Sequence, residues 1–311
     1  LWVAAADYRG EMTVSDEILK RVSDAYRRIC NTARFLLGNL DGFRPEDVLP
    51  PADLLPLDRW AVDRAKQLQD QVRQAYDEYL FLQIYQKVHH FCAVDMGAFY
   101  LDVLKDRLYT TGRDSLPRRS AQTAMYHVLE AMVRWIAPVL SFTAEEIHQH
   151  VPGARSGSIF FETWYAGLFE LQNAEAERER WQRVMKVRDD VSKSIESGRR
   201  DGKAGSSLAV EVDLWLDGAL RAALDSLGDE LRFVLLTSEA RVAGLADAPA
   251  AAERIRLDEG ELALSVTPSA HAKCVRCWHY RADVGSNSEH PELCGRCVEN
   301  VAGAGETRRH A

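Results

Sequence analysis

Apolar side chains recur every three or four residues along most of the first half of the chain, which is the spacing of one face of an α-helix. Ser15 stands before the first long run, where its hydroxyl can accept a hydrogen bond from a free backbone N–H. Asp41-Gly42 follows the run, and glycine commonly ends a helix. We therefore predict a helix between Ser15 and Leu40, followed by a proline-rich loop.

The helical spacing resumes at Leu57 and continues to about Thr111. This stretch is too long for one helix of ordinary length, so we predict two or three helices with a break at Gly97. A further helix is predicted over about 118–137, and Thr143-Ala-Glu-Glu146 has the form of a capping box before a short helix. Residues 1–152 therefore predict a helical domain built as an antiparallel bundle.

A linker with a short extended piece at 158–161 leads to a charged helix from about Ala174 to Arg200, so 153–204 is predicted to be one linking segment. Three cations of this helix fall within about 40° of one another at 100° per residue, and they are Lys186, Lys193 and Arg200. Such a row can follow a phosphate backbone. It can equally be a solvated face, because acidic residues flank it.

Apolar and polar residues alternate over 208–216, which is the pattern of a half-buried strand. The spacing then predicts a short helix over 219–227. Two further strands are predicted at 231–236 and 261–266, with a loop at 243–252 between them. Residues 205–268 therefore predict a small α+β unit.

Residues 269–311 contain two Cys-x-x-Cys pairs, Cys274 with Cys277 and Cys294 with Cys297, separated by sixteen residues. Each pair can place two thiolates on one metal ion, and four thiolates complete a tetrahedral Zn²⁺ shell with no open position. We predict one structural zinc ion, with redox thiols or two disulfides as alternatives. The fold class is then mainly α: a helix bundle, a small α+β unit and a C-terminal four-cysteine zinc module. Nearby histidines are interpreted as surface residues of the module: His271, His279, His290 and His310.

The formal net charge is −8, so a surface that binds nucleic acid has to be a local basic patch. A membrane-spanning helix needs an apolar run of about 20 residues, and no apolar run in the sequence approaches that length. We therefore expect no membrane contact. Cys30 and Cys92 lie outside the metal pairs, in apolar helical patterns that predict buried free thiols. Free thiols beside a metal motif fit a reducing compartment, and we expect the cytoplasm.

Cationic and aromatic residues surround the cysteine pairs. They are Lys273, Arg276, Trp278, Arg281 and Arg296. Because bases stack on exposed rings while cations meet phosphates, this composition is typical of contact with single-stranded nucleic acid. The alternative is that Trp278 only packs within the module. A second basic cluster near Thr110–Gly112 can face the same ligand or only solvent, and it comprises Lys105, Arg107, Arg113, Arg118 and Arg119.

The sequence offers no catalytic constellation, and we predict no catalytic residues. It has neither the Walker nor the dinucleotide-binding glycine spacing, and no Gly-x-Ser-x-Gly elbow. Two alternatives to contact with single-stranded nucleic acid stay open. One is the DNA-binding module of a repair glycosylase, since some of these enzymes carry a similar four-cysteine module. The other is a non-catalytic protein-interaction domain with a zinc staple.

Several motifs, taken in order, resemble the region that follows the catalytic domain in the bacterial isoleucyl-tRNA synthetase family, which belongs to the class I aminoacyl-tRNA synthetases. They are Asp7-Tyr-Arg-Gly10, Asn31-Thr-Ala-Arg-Phe35, Leu57-Asp-Arg-Trp60, Tyr100-Leu-Asp-Val-Leu-Lys-Asp-Arg-Leu-Tyr109, Lys273-Cys-Val-Arg-Cys-Trp-His-Tyr280 and Cys294-Gly-Arg-Cys-Val298. The similarity runs over essentially the whole chain. Cys30 stands where the resemblance leads us to expect Arg.

The resemblance implies that the helical domain binds the anticodon of an isoleucine tRNA and that the zinc module helps to hold the anticodon stem-loop. In the full-length enzyme it implies attachment of isoleucine to its tRNA with ATP. The His-Ile-Gly-His and Lys-Met-Ser-Lys-Ser signatures that bind ATP in that family are absent from this sequence. We therefore expect a monomeric fragment without the catalytic and editing domains, which binds tRNA but not isoleucine or ATP and does not aminoacylate alone.

Overall fold

The structure is a computed structural model that describes residues 1–202 and 205–311. It divides into two compact units: unit 1 is Leu1–Leu104 with Arg119–Leu171, and unit 2 is Lys105–Arg118 with Gln172–Ala311. The predicted division at 152, 204 and 268 stays a prediction, and positions 203–204 lie outside the described residues. Within the described ranges, no helix combines the length and the apolar character that crossing a bilayer requires.

Helices account for almost all of the regular structure before residue 152, as the spacing predicts. They are α1 (Trp2–Ala5), α2 (Asp16–Asn39), α3 (Pro56–Asp77), α4 (Phe81–His90), α5 (Leu101–Thr110), α6 (Leu116–Ile136) and α7 (Ser141–His150). The predicted cap of α2 is confirmed, because the Ser15 hydroxyl accepts a hydrogen bond from the Ile18 N–H at 3.3 Å.

A π-helical segment, Phe91–Tyr100, stands where a break at Gly97 was predicted, and it joins α4 to α5. A Cβ atom added at residue 97 would lie 2.9 Å from the Cys92 carbonyl oxygen, closer than real Cβ atoms come. Glycine therefore lets the backbone take the wider π turn without a side chain pressing on the preceding turn. The helical stretch continues through Gly97 instead of ending there.

The core of unit 1 surrounds Trp135, which is fully buried. Its indole N–H donates to Gln69 Oε1 at 3.1 Å, so the polar end of the ring is satisfied. Its ring meets that of Phe91 edge-on, with centroids 5.5 Å apart. Cys92 is buried as predicted, and burial raises the pKa of its thiol to about 12. Cys30 is only half-buried.

Two local predictions in unit 1 are wrong. Helix α7 begins at Ser141, two residues before the predicted capping box, with Leu140 as its N-cap. Thr143 therefore lies inside the helix, where its hydroxyl is 3.0 Å from the Tyr26 hydroxyl. The predicted extended piece at 158–161 is a 3-10 turn, Ile159–Phe161, because the Ser158 hydroxyl accepts the Phe160 N–H and starts a helical turn.

Unit 2 is built on helix α8 (Ala174–Arg200), which begins and ends as predicted. The other elements are β1 (Val210–Trp215), α9 (Gly218–Asp225), α10 (Leu231–Leu235), β2 (Glu239–Ala243), β3 (Glu253–Leu257), β4 (Gly260–Pro268), β5 (Ala272–Lys273), β6 (Tyr280–Arg281) and α11 (Gly295–Ala302). Four strands form one sheet in the order β2-β1-β4-β3, in which only β1 and β2 are parallel. The apolar face of α8 packs on α9, α10 and β4.

The strand predicted at 231–236 is wrong, because these residues form α10, which ends at Leu236 in the left-handed conformation. A short apolar run is compatible with a buried strand or a buried helix, and its spacing alone does not decide between them. Strands β2 and β3 were not predicted, and both lie at the edges of the sheet. Their burial alternates weakly, so the sequence carries little period-two signal there.

Candidate metal centre and nucleic-acid interface

The first cysteine pair lies at the end of a small hairpin, in which β5 and β6 pair antiparallel. Between these strands the Trp278 N–H donates to the Cys274 carbonyl at 2.9 Å, and the Cys274 N–H donates to the His279 carbonyl at 2.9 Å. These two bonds close a tight turn. The turn brings the sulfur atoms of Cys274 and Cys277 into one cluster.

The second cysteine pair lies at the start of α11, with Cys294 as the N-cap and Cys297 in the first turn. An Asp283 carboxylate oxygen accepts the Gly295 N–H at 2.9 Å, which places a negative charge at the positive end of the helix. A Cβ atom at residue 295 would lie 2.8 Å from that oxygen. Glycine at this position therefore allows the carboxylate to reach the backbone.

The four sulfur atoms have the arrangement of a tetrahedral metal shell. All lie within 4.8 Å of one another, and Cys277 Sγ is 3.7 Å from Cys294 Sγ. A tetrahedral ion with Zn–S bonds of about 2.3 Å holds its sulfur ligands about 3.8 Å apart. All four cysteines are buried, and together they supply every ligand that Zn²⁺ needs. The cluster therefore fits one structural zinc ion, as the spacing predicts, and leaves no open catalytic position.

Local hydrogen bonds couple the cysteine sulfur atoms to one another. The side chains of Cys277 and Cys297 donate toward Cys294 and lower the pKa of its thiol. The Cys274 sulfur accepts the Cys294 N–H at 3.4 Å, a contact that links the two cysteine pairs. Contacts with Cys277 and Cys294 raise the pKa of the Cys297 thiol, so a cation among the sulfur atoms is needed for all four to be thiolates.

An ion network connects the metal module to helix α5 within unit 2. The Arg296 guanidinium binds both carboxylate oxygens of Asp106, each at 2.7 Å, and also Glu306 at 3.0 Å. Arg308 pairs with the same two acids and stacks on the Phe233 ring at 3.5 Å. Burial acts to raise the pKa of Asp106, but the two arginines outweigh it and hold that pKa well below its ordinary range. We refer to Asp106, Arg296, Glu306 and Arg308 as the ion network.

His279 is buried against this network, so its interpretation as a surface residue is wrong. Its ring meets Phe233 at 5.6 Å and 72°, and its Nε2 lies 3.7 Å from an Asp106 oxygen. Burial lowers the pKa of His279 to about 4. The ring is therefore neutral at pH 7 and acts as a packing residue. The other three histidines of the module are exposed or half-buried.

Trp278 is the most exposed aromatic residue beside the metal centre, with 60% of its surface open to solvent. Its φ is +66°, a left-handed conformation that costs a residue other than glycine about 1–2 kcal/mol. Lys273 Nζ lies 5.3 Å from the ring centroid, so a cation and a ring share one surface. The side chain gains little burial to offset the backbone cost, and packing alone does not account for it.

The three arginines predicted to bind nucleic acid in this module have different surroundings. Arg276 is exposed, and its guanidinium donates to the Thr110 carbonyl at 3.0 Å. Arg281 is half-buried and pairs with Glu239 at 2.6 Å. Arg296 belongs to the buried ion network. Lys273 and Trp278 therefore form the open surface, while the arginines are engaged in contacts within unit 2.

The predicted basic row on α8 is exposed along its length, at Lys186, Lys193 and Arg200. Lys193 Nζ lies 2.8 Å from an Asp190 oxygen, which raises the pKa of Lys193 and partly offsets its charge. The second basic cluster is only partly at the surface. Arg107 is buried, and the Arg118 guanidinium donates to the Leu108 carbonyl at 2.6 Å.

The ion network could not be predicted from the sequence pattern. Asp106 and Arg308 are 202 residues apart in the chain, and Asp106 and Arg296 are 190 apart. Neither separation produces a local motif. The one hint in the sequence was a basic residue near the end of the chain, Arg308. The structure shows it buried, with 4% of its surface exposed.

Two family models match the chain. One, described as "Anticodon-binding domain of tRNA ligase", matches residues 58–214, which is about half of the chain. The other, described as "Zinc finger found in FPG and IleRS", matches residues 273–300 and includes all four cysteines. The second model is shared by two kinds of protein, so it does not decide between them. The first model does, because it describes a domain of tRNA ligases. The chain belongs to the anticodon-binding domain family of tRNA ligases.

The curated relatives are more particular, since they are isoleucine–tRNA ligases. That of Thioalkalivibrio sulfidiphilus is 60% identical over 314 aligned residues, which cover 100% of this chain and 33% of the relative. That of Methylococcus capsulatus is 60% identical over 99% of this chain, and that of Pseudomonas putida KT2440 is 55% identical over 100% of it. The chain spans about a third of the length of these relatives.

We expect one zinc ion per chain when the protein is purified without a chelator. Cys297→Ser removes one of four thiolates and should weaken zinc binding by at least about a hundredfold, more than loss of a supporting contact does. Cys30→Ser is the matched control, because Cys30 lies outside the cluster. Metal analysis with a competing chelator measures both. Absence of zinc from the unaltered chain would contradict the assignment.

Proposed function

We propose that this chain recognises tRNA, as the part of an isoleucine–tRNA ligase that binds the anticodon stem-loop. The observation that carries the proposal is the joining, in one chain, of a region that matches the anticodon-binding domain family with a zinc module that presents Trp278 and Lys273. The zinc ion would act only by holding the two cysteine pairs. Recognition would be performed by the side chains that these pairs display.

The surface of the zinc module suits an unpaired base. A flat, exposed indole offers a stacking face for any base, and the Lys273 ammonium beside it can meet the adjoining phosphate. The left-handed backbone at Trp278 supports a functional role, because such strain is found where the side chain is needed for binding. Lys186, Lys193 and Arg200 on α8 would bind phosphates along the stem. Arg276, Arg281 and Arg296 stay predicted contacts, although each already binds a group within unit 2.

We further propose that the parent enzyme attaches isoleucine to its tRNA with ATP, and that isoleucine and ATP bind outside this chain. The absence of the His-Ile-Gly-His and Lys-Met-Ser-Lys-Ser signatures from the sequence supports this division. The chain alone would bind tRNA without charging it. We infer a cytoplasmic monomer, which accords with four metal-binding thiols that require reducing conditions.

Binding of the 311-residue chain to an isoleucine tRNA, compared with the same tRNA carrying a substituted anticodon, tests the proposal. We expect the substitution to weaken binding by about tenfold or more, equal to about 1.4 kcal/mol. Both titrations use the same salt concentration, since phosphate contacts dominate affinity. Equal affinity for the two tRNAs would contradict anticodon recognition. Preference for damaged duplex DNA would favour the glycosylase alternative. Absence of nucleic-acid binding at low salt would favour the protein-interaction domain.

Trp278→Ala should weaken tRNA binding by about 1–3 kcal/mol, because it removes a stacking face. Trp278→Phe should restore most of the affinity, since it restores a ring. Val275→Ala is the matched control, because Val275 is exposed in the same turn but offers no ring. Zinc content is measured for each variant. Unchanged affinity of Trp278→Ala with zinc retained would leave the residue as a packing element.

Replacing Lys186 and Lys193 together by alanine should flatten the dependence of tRNA affinity on salt. Each lost phosphate contact reduces the slope of log affinity against log salt by about one. Arg254→Ala with Arg256→Ala is the control, since it removes the same charge from exposed positions on β3. An equal change of slope in both double variants would mean that net charge, not the row on α8, is responsible.

A further inference from the structure

The two cysteine pairs share a feature that zinc binding itself does not require. In each pair, Cys274-Val-Arg-Cys277 and Cys294-Gly-Arg-Cys297, an arginine directly precedes the second cysteine. These arginines are Arg276 and Arg296. Because the backbone of each arginine lies between two metal ligands, the metal determines the position from which each arginine side chain extends.

Both arginines reach the last turn of helix α5. Arg276 donates to the Thr110 carbonyl at 3.0 Å. Arg296 binds the Asp106 carboxylate with both terminal nitrogens at 2.7 Å and approaches the Thr110 hydroxyl at 3.3 Å. The last carbonyl groups of a helix have no partner within it, and cations are favourable at this end. The two arginines therefore complete the C-terminal end of α5.

We propose that Arg276 and Arg296 are positioning residues through which the metal fixes the end of α5 and the turn that follows it. A module of this size has little apolar core: within the part of the chain that the structure describes, the partly buried apolar residues packed against its four cysteines are Val284 and Leu293. Its order therefore depends on the metal. Loss of the metal frees the two arginine backbones from each other and withdraws both guanidinium groups from α5.

The end of α5 carries side chains that face solvent. Tyr109 is 61% exposed, and Arg113 is exposed in the turn after the helix. Fixing α5 therefore fixes a ring and a cation that are distant in sequence from the cysteines. If the proposed tRNA recognition holds, on which this step rests, zinc controls a binding surface larger than the cysteine turns themselves.

The ion network makes the proposal testable without unfolding the chain. Asp106 is also bound by Arg308, so removal of Arg296 leaves the carboxylate with one buried cationic partner. Arg281 supplies a matched control. It lies in the same module but pairs with Glu239 and donates to the Ser238 carbonyl, on the β2 side, so its loss leaves the contacts to α5 intact.

Hydrogen exchange of the 311-residue chain, followed by mass spectrometry of peptides, is the direct test. Removal of zinc by a chelator should speed exchange over Leu101–Thr110 and the following turn by about tenfold or more, because local opening becomes easier. The double variant Arg276→Ala with Arg296→Ala should show the same increase with zinc still bound. Arg281→Ala should not, and α2 serves as the internal reference.

Unchanged exchange at α5 after complete removal of zinc would overturn the proposal, and so would an unchanged rate in the double variant. If the double variant loses zinc, Arg296→Lys replaces it, because lysine keeps the charge but cannot bind both Asp106 oxygens. Faster hydrogen exchange at α5 in this variant, though less than after zinc removal, supports the proposal. An unchanged exchange rate opposes it. This test does not use tRNA, so its result is independent of whether the chain recognises tRNA.

A second measurement separates positioning from direct contact. In a chain that already carries Arg113→Ala, Arg296→Ala should weaken tRNA binding without altering its salt slope, because a residue that only positions others releases no counterion of its own. A slope reduced by about one would identify Arg296 as a phosphate contact and would overturn the positioning role.

Discussion

Four buried thiols within 4.8 Å of one another are the constraint on which the end of unit 2 depends. Thiolates at such distances repel unless a cation lies among them, and few apolar contacts hold the turns in place otherwise. With the cation, the positions of both turns are fixed by bonds of set length and angle. The arginines, the exposed indole and the end of α5 then acquire fixed places relative to the metal.

The parts of the fold that the sequence predicted well are those held by local rules. Helix α2 follows a serine cap, and α8 has an uninterrupted apolar stripe from Trp181 to Ile195, so both were located to within one or two residues. The errors occurred where tertiary contacts decide. Most of the run at 231–236 is buried, which is compatible with a strand or a helix, and the edge strands β2 and β3 depend on pairing with inner strands rather than on their own pattern.

The candidate site divides in the same way. The four ligands were found because two-residue spacing is itself the chemical requirement. The ion network was not found, because Asp106 is brought to Arg296 and Arg308 only by folding. An arginine beside a metal motif has the same local sequence whether its guanidinium faces solvent or a carboxylate that folding brings to it, so the sequence alone could not assign the partners of Arg296.

Gly97 bears on how freely this sequence can change over evolutionary time. A side chain at residue 97 would press on the Cys92 carbonyl oxygen, so a larger residue there requires the backbone of the π segment to shift. Gly38, near the end of α2, has open space around its α-carbon and can drift to alanine or another helix former. The two glycines therefore differ in what a larger side chain would do: it presses on the backbone at residue 97 and meets no neighbour at residue 38.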